Sequence, residues 1–413
     1  MGDVLNLNAI KKGLNSTIDF VDVKVTKTGE IPLKTWRNVK CILDKNNIEV
    51  KLNAITHEVE YSGVNAGISN NGLIQDIQVF AMNSGFNVDD GKLGRLINRV
   101  AEESKYNPFI EMLQANDNED IHLIEEVFNC ISINEDFLEN REFYFTLFLK
   151  WCLGVVTMAF NDLKVKNSAQ GVLVLQGEQG ARKSTFFREL LPDQSLFKGD
   201  NTLDPSSKDS VIQNTKYILV DLGEIDSTFK SEMAKLKQFI TATEDEYRAP
   251  YMATFEKYPR LTSFCGSVNK MDFLKDETGN RRWWVIPVGN KNDIDKLREI
   301  DKCRFWGAVY NLYKNKSINY WLDSEETEKL NQLNVSFNYE NDVTIILKEG
   351  LNWEMDKNSW GVYSITEIAN HLGIAEKKKL KMELEKMGLV YKTYRVGSRL
   401  KKGFNVPYME RRY

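Results

Sequence analysis

The stretch 171–188, GVLVLQGEQGARKSTFFR, constrains this chain more than any other. Val172-Leu173-Val174-Leu175 is a short apolar run closed by Gly171 and Gly177, the pattern of a strand buried on both faces. Gly177-Glu178-Gln179-Gly180-Ala181-Arg182-Lys183-Ser184-Thr185 follows, and residues 186–191 then read as a helix. A strand, a glycine-rich loop, Lys-Ser and a helix together make a cradle for phosphate. Backbone N–H groups face the anion, Lys183 reaches the terminal phosphates, and the Ser184 hydroxyl is placed to ligate Mg²⁺. The pattern G-x-x-x-x-G-K-[ST] wants Gly just before the lysine, where this chain has Arg182. A side chain there either crowds the phosphates or adds positive charge beside them, while Gly180 supplies part of the missing backbone freedom. ATP binding by residues 177–185 is the expectation, and a plain glycine-rich turn is the alternative.

A phosphate loop of this kind needs a second strand ending in acid, to hold the Mg²⁺ water shell and activate the attacking water. Tyr217-Ile-Leu-Val-Asp221-Leu-Gly-Glu224 supplies one, with four strand-forming residues ahead of Asp221 and Glu224 where the chain leaves the sheet. Alone it would read as an ordinary strand ending in a solvated turn. A third buried run, 261–268, ends in Asn269, a polar tip suited to orienting a lytic water or merely to forming a turn. Next comes Asp276-Glu-Thr-Gly-Asn280-Arg281-Arg282, followed by the apolar run Trp283-Trp-Val-Ile-Pro287.

These residues carry a resemblance. The order of phosphate loop, acid-tipped strand, Asn-tipped strand and arginine pair is similar to superfamily 3 helicases, which are compact AAA+ ATPases. More narrowly, Tyr247-Arg248-Ala-Pro250-Tyr251, Pro259-Arg260, Ser267-Val-Asn269, Phe273-Leu274 and Thr278-Gly-Asn-Arg-Arg282 resemble the virulence-associated protein E family. Its members are encoded largely by phages and other mobile elements and are implicated in replicating them. The resemblance covers about 150–320 well and 30–150 loosely, and Arg182 departs from the family loop. It implies a homo-oligomeric ring, expected to be a hexamer, with Lys183, Asp221, Glu224 and Asn269 catalytic and Mg²⁺ held by Ser184 and Asp221. Arg281 or Arg282 would act as a finger on the neighbour's site; stacking on Trp283, pairing with Asp276 or contacting DNA are the competing roles. A primase or other replication proteins are partners it brings into view.

Superfamily 3 proteins carry an insertion hairpin in the ring channel, expected here at 246–259. Arg248, Tyr251, Phe255, Lys257 and Arg260 interleave cations and aromatics, a mixture suited to single-stranded DNA because bases stack while phosphates pair. An amphipathic hairpin with its aromatics packed underneath is the competing reading.

Composition narrows the field further. The 413 residues are 42% hydrophobic, enough for two or three domains with real cores. A net charge of −4 argues against a globally basic nucleic-acid coat. No run of 18 apolar residues is free of charge, so no membrane span or membrane partner is expected; the strongly apolar 143–160 contains Lys150 and reads as a buried brace. The beginning of the chain lacks a signal-peptide pattern, and five scattered cysteines suit a reducing cytoplasm.

Residues 1–75 alternate strand-like runs (20–25, 41–43, 48–52) with turns, and 72–114 turn helical with Leu93, Leu96, Ile97 and Val100 at core spacing. At the other end, Ser364 and Glu367 are spaced as a capping box, Gly373 and Gly388 stop two helices, and 389–406 read as a two-stranded wing. From 376 to 413 there are twelve Lys/Arg against four Asp/Glu, a net +8 that leaves −12 for the remainder. An excess of that size on an acidic protein favours duplex phosphates over a merely solvated face, with Lys378, Lys379, Arg395, Arg399 and Lys401 as contacts.

The expected fold is α/β: an N-terminal α+β scaffold or oligomerisation region (1–140), a P-loop AAA+ ATPase core of superfamily 3 type (141–290), a helical lid (291–355) and a C-terminal winged helix (356–413). The expected function is an ATP-dependent DNA helicase or translocase replicating a phage or mobile element. The alternative is a DNA-binding initiator or helicase loader whose degenerate loop hydrolyses ATP weakly or not at all.

Overall fold

The structure, a computed structural model, describes residues 18–63, 69–201, 204, 206–223, 230–247, 255–274, 280–338 and 342–407. It divides into two compact units, 1–335 and 336–413.

The first unit opens with a small layered region. Strands β1 (Val23–Thr26) and β2 (Gly29–Pro32) pair antiparallel, as do β3 (Glu49–Leu52) and β4 (Val59–Ser62). Helix Trp36–Lys45 lies between the two pairs in sequence, and helices Asn70–Asn83 and Asp90–Glu102 follow. Thr35, Ser69 and Asp89 cap these helices with side-chain oxygens, satisfying backbone N–H groups that have no partner within the helix. Val39, Ile42, Leu43, Ile77, Leu93 and Ile97 are buried in a core of their own. The strand expected at 41–43 is corrected here: it is the middle of helix Trp36–Lys45. Val39, Ile42 and Leu43 recur at helical spacing behind the Thr35 cap, and that period overrides three adjacent apolar residues.

Helix Arg141–Ala159 is buried on nearly every side, as an all-round apolar helix must be. The indole of Trp151 donates to the Phe264 carbonyl at 2.9 Å. Lys150 Nζ donates to the Trp321 carbonyl at 3.0 Å and pairs with the Glu326 carboxylate. The segment Glu135–Ala159 is long and apolar enough to cross a membrane, but 78% of its apolar window is buried within the protein.

Beside it stands a five-stranded sheet of β5 (Val172–Gln176), β6 (Phe197–Asn201), β7 (Leu219–Leu222), β10 (Ser263–Val268) and β11 (Trp283–Pro287), all parallel, in the order β11-β5-β10-β7-β6. Parallel strands must be covered on both faces, and β5, β7 and β11 are buried at every position. The chain leaves β5 toward β6 on one side, while it leaves β10 toward β11 on the other. Their carboxyl ends therefore flank a topological switch point, where open α/β sheets hold ligands. Between β7 and β10 the chain forms helix Lys230–Ile240 and the antiparallel pair β8 (Glu244–Tyr247) and β9 (Glu256–Pro259).

Helices Ile294–Glu299, Lys302–Asn315 and Ser324–Asn334 join the main core through Leu297, Phe305, Trp306, Val309 and Leu330. They are part of the 291–355 region expected to form a lid. Helix Asp342–Gly350, from that same region, instead buries Val343 and Leu347 in the core of the second unit.

That second unit runs helix Asp342–Gly350, β12 (Gly361–Tyr363), helix Ile365–Leu372, helix Lys377–Lys386, β13 (Lys392–Val396) and β14 (Arg399–Val406), with strand order β12-β14-β13. Ser364 and Glu367 make a reciprocal capping box, and Gly373 closes the same helix with left-handed backbone. Leu347, Ile368, Leu380, Leu384, Phe404 and Val406 form its core.

Candidate functional site

The loop 177–182 begins where β5 ends, and two close approaches fix its course. The Gly177 N–H donates to the Val268 carbonyl at 3.1 Å. A Cβ at Gly177 would lie 2.4 Å from the Val288 carbonyl oxygen, so no side chain fits there. Further on, Gly180 has φ +88°. Arg182, where the loop pattern has Gly, takes the left-handed conformation itself (φ +57°, ψ +33°). The turn is thus preserved at the expense of backbone strain, because an L side chain in this region crowds the following carbonyl. The Arg182 guanidinium reaches Asp295 at 3.5 Å, with both side chains substantially exposed.

Lys183 opens helix Lys183–Glu189 and is buried. Its ammonium donates to the carbonyls of Gly177 (2.8 Å) and Glu178 (2.7 Å) and to Oδ1 of Asn269 (3.0 Å). Three donors thus meet three oxygens, and an arriving anion would have to displace some of them. Burial holds the Lys183 pKa below the usual lysine range, while the negative charge of Asp221 partly offsets this.

Asn269 follows directly on β10, and its own carbonyl receives Nε2 of Gln176 at 3.4 Å. Ser184 Oγ lies 3.1 Å from Ser267 Oγ, which in turn lies 3.3 Å from Asp221 Oδ2. Asp221 is buried on β7, paired in register with Cys265 of β10. That thiol is pushed well above its ordinary pKa by burial and then by the Asp221 charge, so it is inert at neutral pH. Three neighbouring strands, β5, β10 and β7, thereby bring Lys183, Ser184, Asn269 and Asp221 together through direct contacts and one intervening hydroxyl. That hydroxyl, Ser267, is a link that the sequence reading assigns no role of its own. Its place two residues before Asn269, on the same face of the strand, is the signal that could have found it.

Not every residue singled out in the sequence joins this cluster. Glu224, Arg248 and Tyr251 lie outside the described residues. Arg281 and Arg282 end a short turn leading into β11, where Trp283 pairs with Val172 and Pro287 with Gln176. They stand beside the amino end of β5, and the loop leaves its carboxyl end, roughly 13 Å of strand away at ~3.3 Å per residue.

Arg260 is corrected as a DNA contact. It is fully buried, its guanidinium paired on two nitrogens with the Asp245 carboxylate, donating to the Phe239 carbonyl at 3.1 Å and stacked 4.1 Å above the Phe239 ring. A charge buried this way is committed to its partner. Lys257 is exposed and bridged to Glu244 at 2.7 Å; Lys166 holds the same carboxylate, and the two ammonium groups lower its pKa to about 2.

In the second unit, Lys378 and Lys379 lie on helix Lys377–Lys386, with Lys378 the more exposed. Arg395 and Arg399 are exposed at the closed end of the β13–β14 pair, and Lys401 bridges to Glu367 at 2.9 Å. Among the described residues no cluster of three His, Cys, Asp or Glu side chains is placed to hold a metal.

Fold and site together define a mixed α/β protein with a polar cluster at the switch point of a parallel sheet. Residues 113–339, more than half of the chain, match the virulence-associated protein E-like domain, and the chain belongs to that family. Among solved structures it is similar to the apo A form of the C-terminal region of NrS-1, at 13% identity over 90% of this chain and 99% of that one, with a TM-score of 0.47. A second apo structure of that region gives 14% identity over 89% and 98%, with a TM-score of 0.48. With scores this low, neither likeness bears on function. No curated protein matches the chain.

Proposed function

We propose that this protein is an ATP-dependent DNA helicase or translocase serving the replication of a phage or other mobile element, and that it works as a homo-oligomeric ring. The observation that carries the reading is the convergence of Lys183, Ser184, Asn269 and Asp221 at the ends of three adjacent parallel strands, around a glycine loop that keeps its left-handed turn despite Arg182.

In this reading the loop N–H groups and Lys183 hold the triphosphate, the ammonium exchanging its loop carbonyls for phosphate oxygens. Asn269, from the strand between loop and acid, orients the attacking water, and Glu224 polarises it. The Ser184 hydroxyl and Asp221 carboxylate fit Mg²⁺, being all-oxygen donors already linked through one hydroxyl. The ion, when bound, neutralises charge on the phosphates. In the same reading Arg281 or Arg282, at the far end of β5 from their own loop, acts on the site of a neighbouring copy.

The second unit has the element order of a winged helix, and its exposed Lys378, Arg395 and Arg399 suit duplex phosphate. The decisive experiment is ATP hydrolysis by the purified protein, with and without single-stranded DNA, beside Lys183→Ala. Hydrolysis lost in the variant while its fold persists supports the reading. A wild type that binds DNA but never hydrolyses ATP would instead be an initiator or loader with a degenerate loop.

A further inference from the structure

The amino-terminal region has no part in the polar cluster at the sheet's switch point, yet one of its turns reaches the insertion hairpin. The turn between β3 and β4 carries His57 in left-handed backbone (φ +56°). The His57 ring lies 4.4 Å from the ring of Tyr258 on β9 and 6.2 Å from that of Tyr247 on β8. Those two tyrosines stack on each other at 4.4 Å with 20° between their planes.

Register explains the stack. Asp245 pairs with Tyr258 and Tyr247 with Glu256, so both tyrosines project from one face of the hairpin, as diagonal neighbours. His57 caps that face from outside. Burial, then the charges of Lys105 and Lys216, hold its pKa near 4, so at neutral pH an uncharged ring meets the tyrosines. The turn is fastened on both flanks. Asn53 bridges to Tyr106, Tyr106 Oη donates to Glu60, and Glu58 pairs at 2.7 Å with Lys216, just ahead of β7. Asn53 Oδ1 accepts the Ile55 and Thr56 N–H groups, which shapes the turn that presents His57.

We propose that His57 is a positioning residue: the β3–β4 turn clamps the β8–β9 pair through the contact of the His57 ring with Tyr258 and the Tyr247 stacked on it, and the amino-terminal region thereby couples DNA held by the insertion to the ATP site. The coupling half rests on the reading of the hairpin as a DNA contact; the clamp does not. The path is short. β9 runs through Arg260, whose side chain is locked to Asp245 of β8, into β10, and Asn269 at the end of β10 holds Lys183. A clamped hairpin passes a displacement into that strand, whereas a loose hairpin absorbs it.

The test compares His57→Ala with the ring-retaining His57→Phe, and Tyr258→Ala with Tyr258→Phe, in the full chain. Backbone hydrogen exchange is read at 244–247 and 256–259, and ATP hydrolysis with and without single-stranded DNA. Both alanine variants should raise hairpin exchange at least tenfold while leaving β5 and β10 unchanged. They should keep basal hydrolysis within twofold and lose most of the DNA-stimulated increment. The phenylalanine variants, which keep an aromatic ring at each place, should restore both. Unchanged hairpin exchange in His57→Ala overturns the clamp. A loosened hairpin with intact DNA stimulation overturns the coupling, and a wild type that DNA does not stimulate overturns the DNA reading itself.

Discussion

Arg182→Gly, set against Arg182→Ala, isolates what the left-handed residue in the loop does. An L residue at φ +57° and ψ +33° carries a penalty of about 1–2 kcal/mol that glycine escapes. Glycine gives back about 0.5–1 kcal/mol through the greater freedom of its unfolded chain. Both variants lose the 3.5 Å pair with Asp295; with side-chain exposures of 43% and 78%, that pair contributes about 0–1 kcal/mol. The pair cancels in the comparison. The glycine variant should therefore be more stable than the alanine variant by about 0–1.5 kcal/mol, centred on ~0.75, a melting difference of roughly 2 °C at the centre. Urea denaturation of the two proteins reads this directly, and an alanine variant of superior stability would refute the strain argument. The same proteins test the ligand side by calorimetry with ATP. Since the guanidinium is turned to Asp295, neither change should alter affinity more than about threefold, well under the 1.4 kcal/mol of a tenfold effect. A tenfold loss in both would mean that Arg182 swings onto the phosphates, and tightening in glycine alone would mean that its side chain crowds them.

Arg281→Ala and Arg282→Ala should each be assayed alone and mixed with Lys183→Ala: at least one should bind ATP without hydrolysing it and regain activity on mixing, by ~10³-fold or more for an isolated finger. Proven subunit exchange with no recovery would remove the trans arrangement. Truncation after Val335, at the observed division between the units, should weaken duplex binding and flatten its salt dependence while DNA-independent hydrolysis persists; a filter-binding series from low to high salt measures the slope. His57 sets an acid limit. A histidine whose folded pKa is lowered from 6.5 to about 4 resists protonation, so stability is whole above pH 6.5 and falls as pH drops toward 4, by up to about 3 kcal/mol. Urea midpoints measured across that window should lose this component of their slope in His57→Phe.

Much of the centre is legible in the sequence because its signals are local. β5 reads from its apolar run, the loop from its glycines, and Asp221 and Asn269 from their places at strand ends. The capping box at Ser364 is legible for the same reason: cap and partner sit three residues apart. The misreading of Arg260 has a different cause. Arg260 stands in a basic-aromatic stretch that looks identical whether it faces solvent or Asp245, because its partner lies across a hairpin whose register only the fold sets. Asp295 is invisible as the partner of Arg182, being 113 positions away. Helix Asp342–Gly350 groups in sequence with the helices before it, since an apolar face does not say which core will cover it.

The buried helix Arg141–Ala159 has a consequence for how the protein is made. Its middle residue, Lys150, finds its counter-charge in Glu326, 176 positions later. At ~5–20 residues per second a ribosome needs roughly 10–35 s to reach it. During that interval the nascent chain carries a segment that meets the length and composition of a membrane span. A lysine at the centre of such a segment raises the cost of insertion by about 2.5–3.5 kcal/mol. The charge that the finished core must neutralise is the same charge that discourages the unfinished chain from entering a bilayer.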